Sequence, residues 1–263
     1  MDVMPEWSLE VNKQDLAERF GKAASIYDQY ALLQQQVGHT LIELLPDGVF
    51  AQGMDLGCGT GFFLPQLAAR CQRLLAVDLA TGMLRQAMKR DGAAYFICGD
   101  AEQLPLMDQS LDLVYSTLAL QWCEQLPVAL AEIYRVLRPG GFFAFSTLIE
   151  GSLSELRSAW RDVDHQDHVN PFITRDTLQY LCDDCGFRSL VWQEHHHVLH
   201  YATLRDLLMS LKGIGANQVT GRKSSGLAGR NRLHLLEMAY QKMQSSSGEL
   251  PLSYEVCYGV LMR

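Results

Sequence analysis

Four places in this chain pair a short apolar run with residues able to bind a nucleoside-type ligand. At the first, Met54-Asp55-Leu56-Gly57-Cys58-Gly59-Thr60-Gly61, an acid ends the run and glycines follow at alternate positions. Glycine has no Cβ and adopts positive φ at little cost, so such a turn brings backbone N–H groups close to a ligand at a helix start. About twenty residues later, Leu74-Leu75-Ala76-Val77-Asp78 ends in a second acid, placed to accept two hydrogen bonds from a ribose diol. Gly99-Asp100-Ala101-Glu102 makes an acidic turn after a third run, and Ser116 closes a fourth that begins at Leu111. A glycine turn by itself also suits a plain connecting loop or a dinucleotide site.

These residues need a scaffold that lines up strand ends. The apolar runs alternate with helical patterns at 62–70, 81–90 and 126–136, which predicts right-handed crossovers and a parallel sheet. Ligands of such sheets bind outside the carboxyl ends of the strands, where Asp55, Asp78, Asp100 and Ser116 all fall. Leu137-Arg138-Pro139-Gly140-Gly141 reads as a break before a fifth strand, Phe142 to Thr147. Upstream, residues 1–12 read as a loose leader, and Lys13 to Leu45 carries apolar residues at helical spacing with a break near Gly21. Downstream, Ser152-Leu153-Ser154-Glu155 has the form of a capping box, and Thr174 opens a further helix that Gly186 ends. Arg188 to Leu199 and Ser253 to Leu261 read as strands, with an insertion over about 201–248 between them.

Charge and composition narrow the partners. The net charge of −8 argues against general nucleic-acid binding. From Met209 to Leu236, however, there is no acid, but there are Lys212, Arg222, Lys223, Arg230 and Arg232, a basic island fit for an anionic partner or simply for solvent. No apolar run approaches the ~20 residues of a membrane span. The acidic start of the chain is not a secretory signal, and seven scattered cysteines suit a reducing cytoplasm. Cys182 and Cys185 have zinc-like spacing without a second pair, and His195, His196 and His197 alternate faces on a strand, so no metal site is expected.

In order and content, the motifs from Val49 to Leu148 resemble the S-adenosylmethionine-dependent methyltransferases of the Rossmann-like class. The resemblance implies an α/β fold: a seven-stranded, mostly parallel sheet with helices on both faces and an antiparallel last strand. To this it adds an N-terminal helical lid over 1–45 and, within a methyltransferase domain of 46–263, a helical cap between the last two strands. S-adenosylmethionine is the implied cofactor. Asp55, Gly57, Gly59 and Gly61 would surround its methionine part, Asp78 its ribose, and Leu79 and Met83 its adenine. Asp100 would accept from the adenine amino group beside the Ala101 N–H, with Ser116 and Leu118 as walls. An NAD-dependent oxidoreductase would use similar strand ends, but with Gly-x-Gly-x-x-Gly spacing.

Other stretches resemble, more specifically, the malonyl-[acyl-carrier protein] O-methyltransferases of biotin synthesis. They are Phe20 to Tyr27, Ser116 to Cys123, Phe145 to Leu148 with Gly151-Ser152-Leu153, Ser210 to Ala216, and Leu252-Ser253-Tyr254. This resemblance implies carboxylate O-methylation of a malonyl-phosphopantetheine unit on an acyl-carrier protein, by a cytoplasmic monomer that binds neither nucleic acid nor membrane. Tyr27, Gln121 and Trp122 would shape the transfer pocket, and Lys212, Arg222 or Lys223 would contact carrier or phosphate. A methyltransferase of the same fold acting on a free small molecule is the alternative.

Overall fold

A computed structural model describes residues 7–9, 11–93, 95–164, 166, 168–216 and 229–263. Its sheet contains β1 (Phe50–Leu56), β2 (Cys71–Asp78), β3 (Tyr95–Cys98), β4 (Leu111–Thr117), β5 (Leu137–Leu148), β6 (Arg188–Tyr201) and β7 (Leu250–Met262). The order is β3-β2-β1-β4-β5-β7-β6. The first five strands pair in parallel, and β7 runs antiparallel between β5 and β6. Leu74 to Val77 of β2 are all buried, as expected of a strand covered on both faces.

Helices cover both faces. α1 (Lys13–Ala23), α2 (Tyr27–Tyr30) and α3 (Leu32–Glu43) precede the sheet, and α4 (Leu64–Ala68), α5 (Thr81–Ala87) and α6 (Leu126–Val136) connect its strands. α7 (Ser154–Val163) and α8 (Arg175–Asp184) follow β5, while α9 (Leu204–Gly213) and α10 (Gly229–Gln241) lie between β6 and β7. α6 buries Leu126, Ala129, Leu130, Ile133 and Val136 on one stripe, sharing a core with Leu178 and Cys182 of α8. The opposite face is filled by α3, α7, α9 and α10. α3 belongs to this core through Leu33, Val37 and Leu41, and Tyr115 of β4 donates to the Gly38 carbonyl at 2.9 Å. The 1–45 segment therefore has two parts, and only α1 and α2 extend beyond the sheet core.

Four expectations from the sequence are corrected. The helix at 62–70 contracts to α4 and that at 81–90 to α5, because the flanking residues form tighter turns such as Arg90 N–H to Ala87 O. Arg138 to Gly141 does not interrupt the chain before β5; it is a bulge within it, between the pairs Leu111↔Leu137 and Leu113↔Phe142. There Gly140 takes φ +79 and donates to the Arg263 carbonyl. The capping box does not form. Ser152 and Glu155 bind β7 instead, through Ser152 Oγ to Glu255 O at 3.1 Å and Ser253 N–H to Glu155 at 3.0 Å. Finally, the leader is not wholly loose: Leu9 and Val11 are buried, and the Leu9 N–H donates to Glu124 O at 2.9 Å.

The insertion is well defined at its joins. β6 and β7 pair from Arg188↔Met262 to Tyr201↔Leu250, so the cap leaves and re-enters the sheet at facing residues. Leu204, Leu207 and Leu211 of α9 and Leu236, Ala239 and Tyr240 of α10 are buried in the core beneath it.

Candidate active site

A cavity opens at the carboxyl ends of β1, β2, β3 and β4. With its open mouth included, it holds ≈ 850 Å³ of empty space. On the sheet side it is lined by Gly57 and Gly59 after β1, Asp78 and Leu79 after β2, and Asp100 and Ala101 after β3. Ser116, Leu118 and Met83 complete that side. The opposite wall comes from Lys13, Leu16 and Phe20 of α1, Tyr27 of α2, and Trp122 of the 3-10 turn Leu120–Trp122.

The glycine turn is built by backbone geometry. Gly57 and Gly59 take φ +73 and +54, and a Cβ at Gly59 would meet nothing within 4 Å, so the space beside it is open to a ligand. The Gly59 N–H donates to Asp78 Oδ2 at 2.8 Å, and the Ala80 N–H donates to Oδ1 at 2.7 Å. Burial raises the Asp78 carboxyl to about 6 while these two donors oppose the rise. Asp55 lies behind the turn, 2% exposed, with Oδ1 lacking a partner among the described residues. Burial and then the charge of Asp78 push its carboxyl up to about 8.

Two residues predicted around the methionine part, Asp55 and Gly61, do not face the cavity. For Gly61 the reason is packing: a Cβ there would lie 2.7 Å from Leu64 Cδ1 and 3.0 Å from Ala87 Cα, so the glycine lets α5 seat against the turn. Gln121 is also turned away. Its Nε2 donates to Leu118 O at 2.8 Å and its Oε1 accepts from Thr147 at 3.1 Å. It thereby braces Leu118, which lines the cavity at φ +47 and donates its N–H to Ser146 O. Ser116 is fully buried, and its hydroxyl donates to Leu56 O at 2.9 Å.

The N-terminal wall is aromatic and charged. Phe20 sits edge-on to Trp122 at 5.5 Å and tilted to Tyr27 at 6.5 Å. Burial, then Asp78 and Asp28, push the Tyr27 hydroxyl well up, so it keeps its proton. Asp100 is already engaged by Lys13 Nζ at 2.6 Å and by the Glu102 N–H at 3.0 Å. Lys13 gave no sign in the sequence, because its partner lies 87 residues away; its only local signal is the N-cap formed by Asn12.

The basic island is divided. Lys212 is exposed in the last turn of α9 and does not face the cavity, while Arg222 and Lys223 lie outside the described residues. Arg232 pairs with Asp164, so it is committed within the protein. Cys182 is buried in the core of α8, His196 pairs with Glu255 at 2.7 Å, and His197 meets the Tyr258 hydroxyl at 3.2 Å.

A cationic ligand with sugar hydroxyls suits this cavity. Three carboxylates, Asp78, Asp100 and Glu102, line it against one ammonium, and the unpartnered Asp55 oxygen lies behind it. Sheet order, glycine turn and strand-end acids are those of an S-adenosylmethionine-dependent methyltransferase, and S-adenosylmethionine is the cofactor. The family model described as "Methyltransferase domain" matches residues 54–145. Among solved structures, the YcgJ protein of Bacillus subtilis shares the fold, with a TM-score of 0.62 at 16% identity over 87% of this chain and 98% of that one. The malonyl-[acyl-carrier protein] O-methyltransferase of Serratia marcescens is 44% identical over 253 residues, covering 96% of this chain and 97% of that protein. The biotin biosynthesis bifunctional protein BioHC of Cellvibrio japonicus is 42% identical over 96% of this chain, which spans 51% of that longer protein. The chain belongs to the malonyl-[acyl-carrier protein] O-methyltransferase family.

Proposed function

We propose that this protein methylates the free carboxylate of malonyl-[acyl-carrier protein], giving its methyl ester. The observation that carries the reading is the similarity to the Serratia marcescens enzyme across 96% of the chain, so that it includes the cap as well as the cofactor domain. Against the alternative, a methyltransferase of the same fold acting on a free small molecule, stand the basic island and the Leu211 to Ala216 run.

The chemistry asks little of the protein beyond placement. A malonyl carboxylate, with a reference pKa near about 4, is ionised at neutral pH and needs no general base. When bound, S-adenosylmethionine supplies a methyl group already activated by its sulfonium. Transfer of that methyl group to a carboxylate oxygen would leave the bonding pair on sulfur and would require no proton from the chain. The residues proposed to act on the acceptor are Tyr27 and Trp122, which wall the cavity and exclude water, and Gln121, which holds Leu118 in place. Tyr27 retains its proton and can donate to the arriving carboxylate. For the cofactor, Asp78 is proposed to take the ribose hydroxyls, Leu79 and Met83 the adenine faces, and Asp100 with Ala101 the adenine edge. Gly57 and Gly59 admit the methionine part, Asp55 lends negative potential from behind, and Gly61 shapes the turn.

Carrier docking is proposed for the cap, through Lys212, Arg222 or Lys223. The lid is residues 1–45, of which α1 and α2 cover the cavity, and the protein acts in the cytoplasm. Incubation with labelled cofactor and malonyl-carrier, malonyl-coenzyme A or free malonate tests the reading by mass. One methyl added to the carrier-bound malonyl and removed by saponification is expected; transfer to free malonate in preference would overturn it.

A further inference from the structure

Lys13 is the first residue of α1, the helix that Asn12 caps by accepting from the Asp15 N–H at 3.0 Å. Its ammonium reaches the turn after β3, meeting Asp100 at 2.6 Å and Glu102 at 3.0 Å. All three residues line the cofactor cavity. The pairs are partly shielded, with side-chain exposures of 25% for Lys13 and 9% for Glu102. Burial acts to lower the Lys13 pKa, but the two carboxylates together raise it, so the charge is held firmly.

The carboxylates are themselves fixed. The Glu102 N–H donates to Asp100 Oδ1, and the Glu124 N–H donates to Glu102 Oε1 at 2.7 Å. Leu9, just before α1, donates its N–H to Glu124 O, so the approach to the helix joins the same set of contacts. Lys22, by contrast, pairs within α1 with Glu18 at 3.3 Å. Next to Lys22, at the far end from Lys13, α1 crosses α5 where Gly21 faces Gly82; a Cβ on Gly82 would lie 2.5 Å from Gly21 Cα. There backbone meets backbone, and beside it Met83 of α5 packs against Ala17 and Phe20, so α1 is also held to α5 by apolar contact away from its Lys13 end.

We propose that Lys13 is a positioning residue that clasps α1 over the cofactor and sets how long the cofactor stays. This rests on the cofactor occupying the cavity that Lys13 lines, and not on the identity of the methyl acceptor. Two carboxylates serve one ammonium. A ligand group that donates to Asp100 leaves Lys13 with Glu102, and the helix stays fastened while the cavity is filled. Such a clasp slows departure, because it must break for the ligand to leave. Being partly exposed, it weakens with added salt.

The test is the dissociation rate of S-adenosylhomocysteine from the full chain, read by stopped-flow fluorescence, with affinity from calorimetry. Lys13→Met keeps the apolar stem and removes the charge; its dissociation is expected to be about fivefold faster, the scale of a partly shielded ion pair. Lys13→Arg should bring dissociation back close to the native rate. Added salt should speed dissociation from the native chain but not from the Lys13→Met chain. Glu102→Gln, which still accepts from Glu124, should change the rate in the same direction, and it serves if Lys13→Met folds poorly. An unchanged dissociation rate overturns the proposal, and so does a loss of affinity residing wholly in association, which would mean attraction at a distance. Because the measurement uses no acceptor, its failure is separate from failure of the malonyl-carrier reading.

Discussion

Thr60 of the glycine turn donates its hydroxyl proton to Asp28 of α2 across 2.5 Å, and Arg90 holds the other oxygen of the same carboxylate. The turn and the N-terminal helices are thus joined beside the cavity by one side chain. Asp28→Asn keeps the shape and removes the charge. A several-fold rise in the KM for S-adenosylmethionine is expected, with a stability cost of about 1 kcal/mol or less, since the pair is partly exposed. Thermal melts beside initial-rate kinetics check it; an unchanged KM would show that the contact plays no part in cofactor binding.

Asp55 supplies a pH dependence. Its carboxyl titrates at about 8 in the folded chain, against about 4 for a free carboxylate. Across that window the folded chain holds a proton that the unfolded chain lacks, so stability without cofactor falls as pH rises and levels off above it. Asp78, at about 6, adds to the fall in the lower part. A cationic cofactor favours the ionised form, so binding at pH 7 should release protons. Calorimetry in two buffers of different ionisation enthalpy should give different heats, and Asp55→Asn should diminish the difference. Equal heats for the native chain would rule this out.

Gly213, at the end of α9, carries the weight of a close approach. A Cβ there would lie 2.3 Å from Cδ2 of Tyr30. Gly213→Ala should destabilise by about 1–3 kcal/mol, the usual cost of overpacking. Tyr30→Leu in the same chain should recover part of the loss by making room. A double-mutant cycle on melting temperatures checks the pair, and strictly additive effects would show that the two residues do not press on each other.

Much of this arrangement is readable in the sequence because it is local. Leu74 to Val77 is apolar without interruption, α6 repeats at helical spacing, Asp78 ends its strand and Asp100 comes two residues after its own. Thr174 caps α8 by accepting from Thr177, as its spacing predicts. What the sequence conceals is long-range. Ser152 and Glu155 have the form of a cap, but β7 offers their oxygens better-placed partners about a hundred residues on. Arg138 to Gly141 reads as a break because the pairing of Leu137 with Leu111, and of Gly140 and Gly141 with Arg263, cannot be seen from its own residues. Gln121 is polar beside a cavity, which suggests a ligand; its amide instead holds Leu118 in the left-handed conformation. Asp112 accepts from the Gln52 N–H at 2.8 Å and from Arg138 at 2.7 Å, tying β1 to the bulge.

The facing pair Tyr201 and Leu250 makes everything between them, topologically, the loop of one long hairpin. Its length and content can change without shifting β6 against β7, provided that apolar side chains still cover Leu252, Tyr254 and Val256. The segment is therefore a natural cassette. Chimeras joined at these two residues would exchange the cap between relatives over an unaltered sheet.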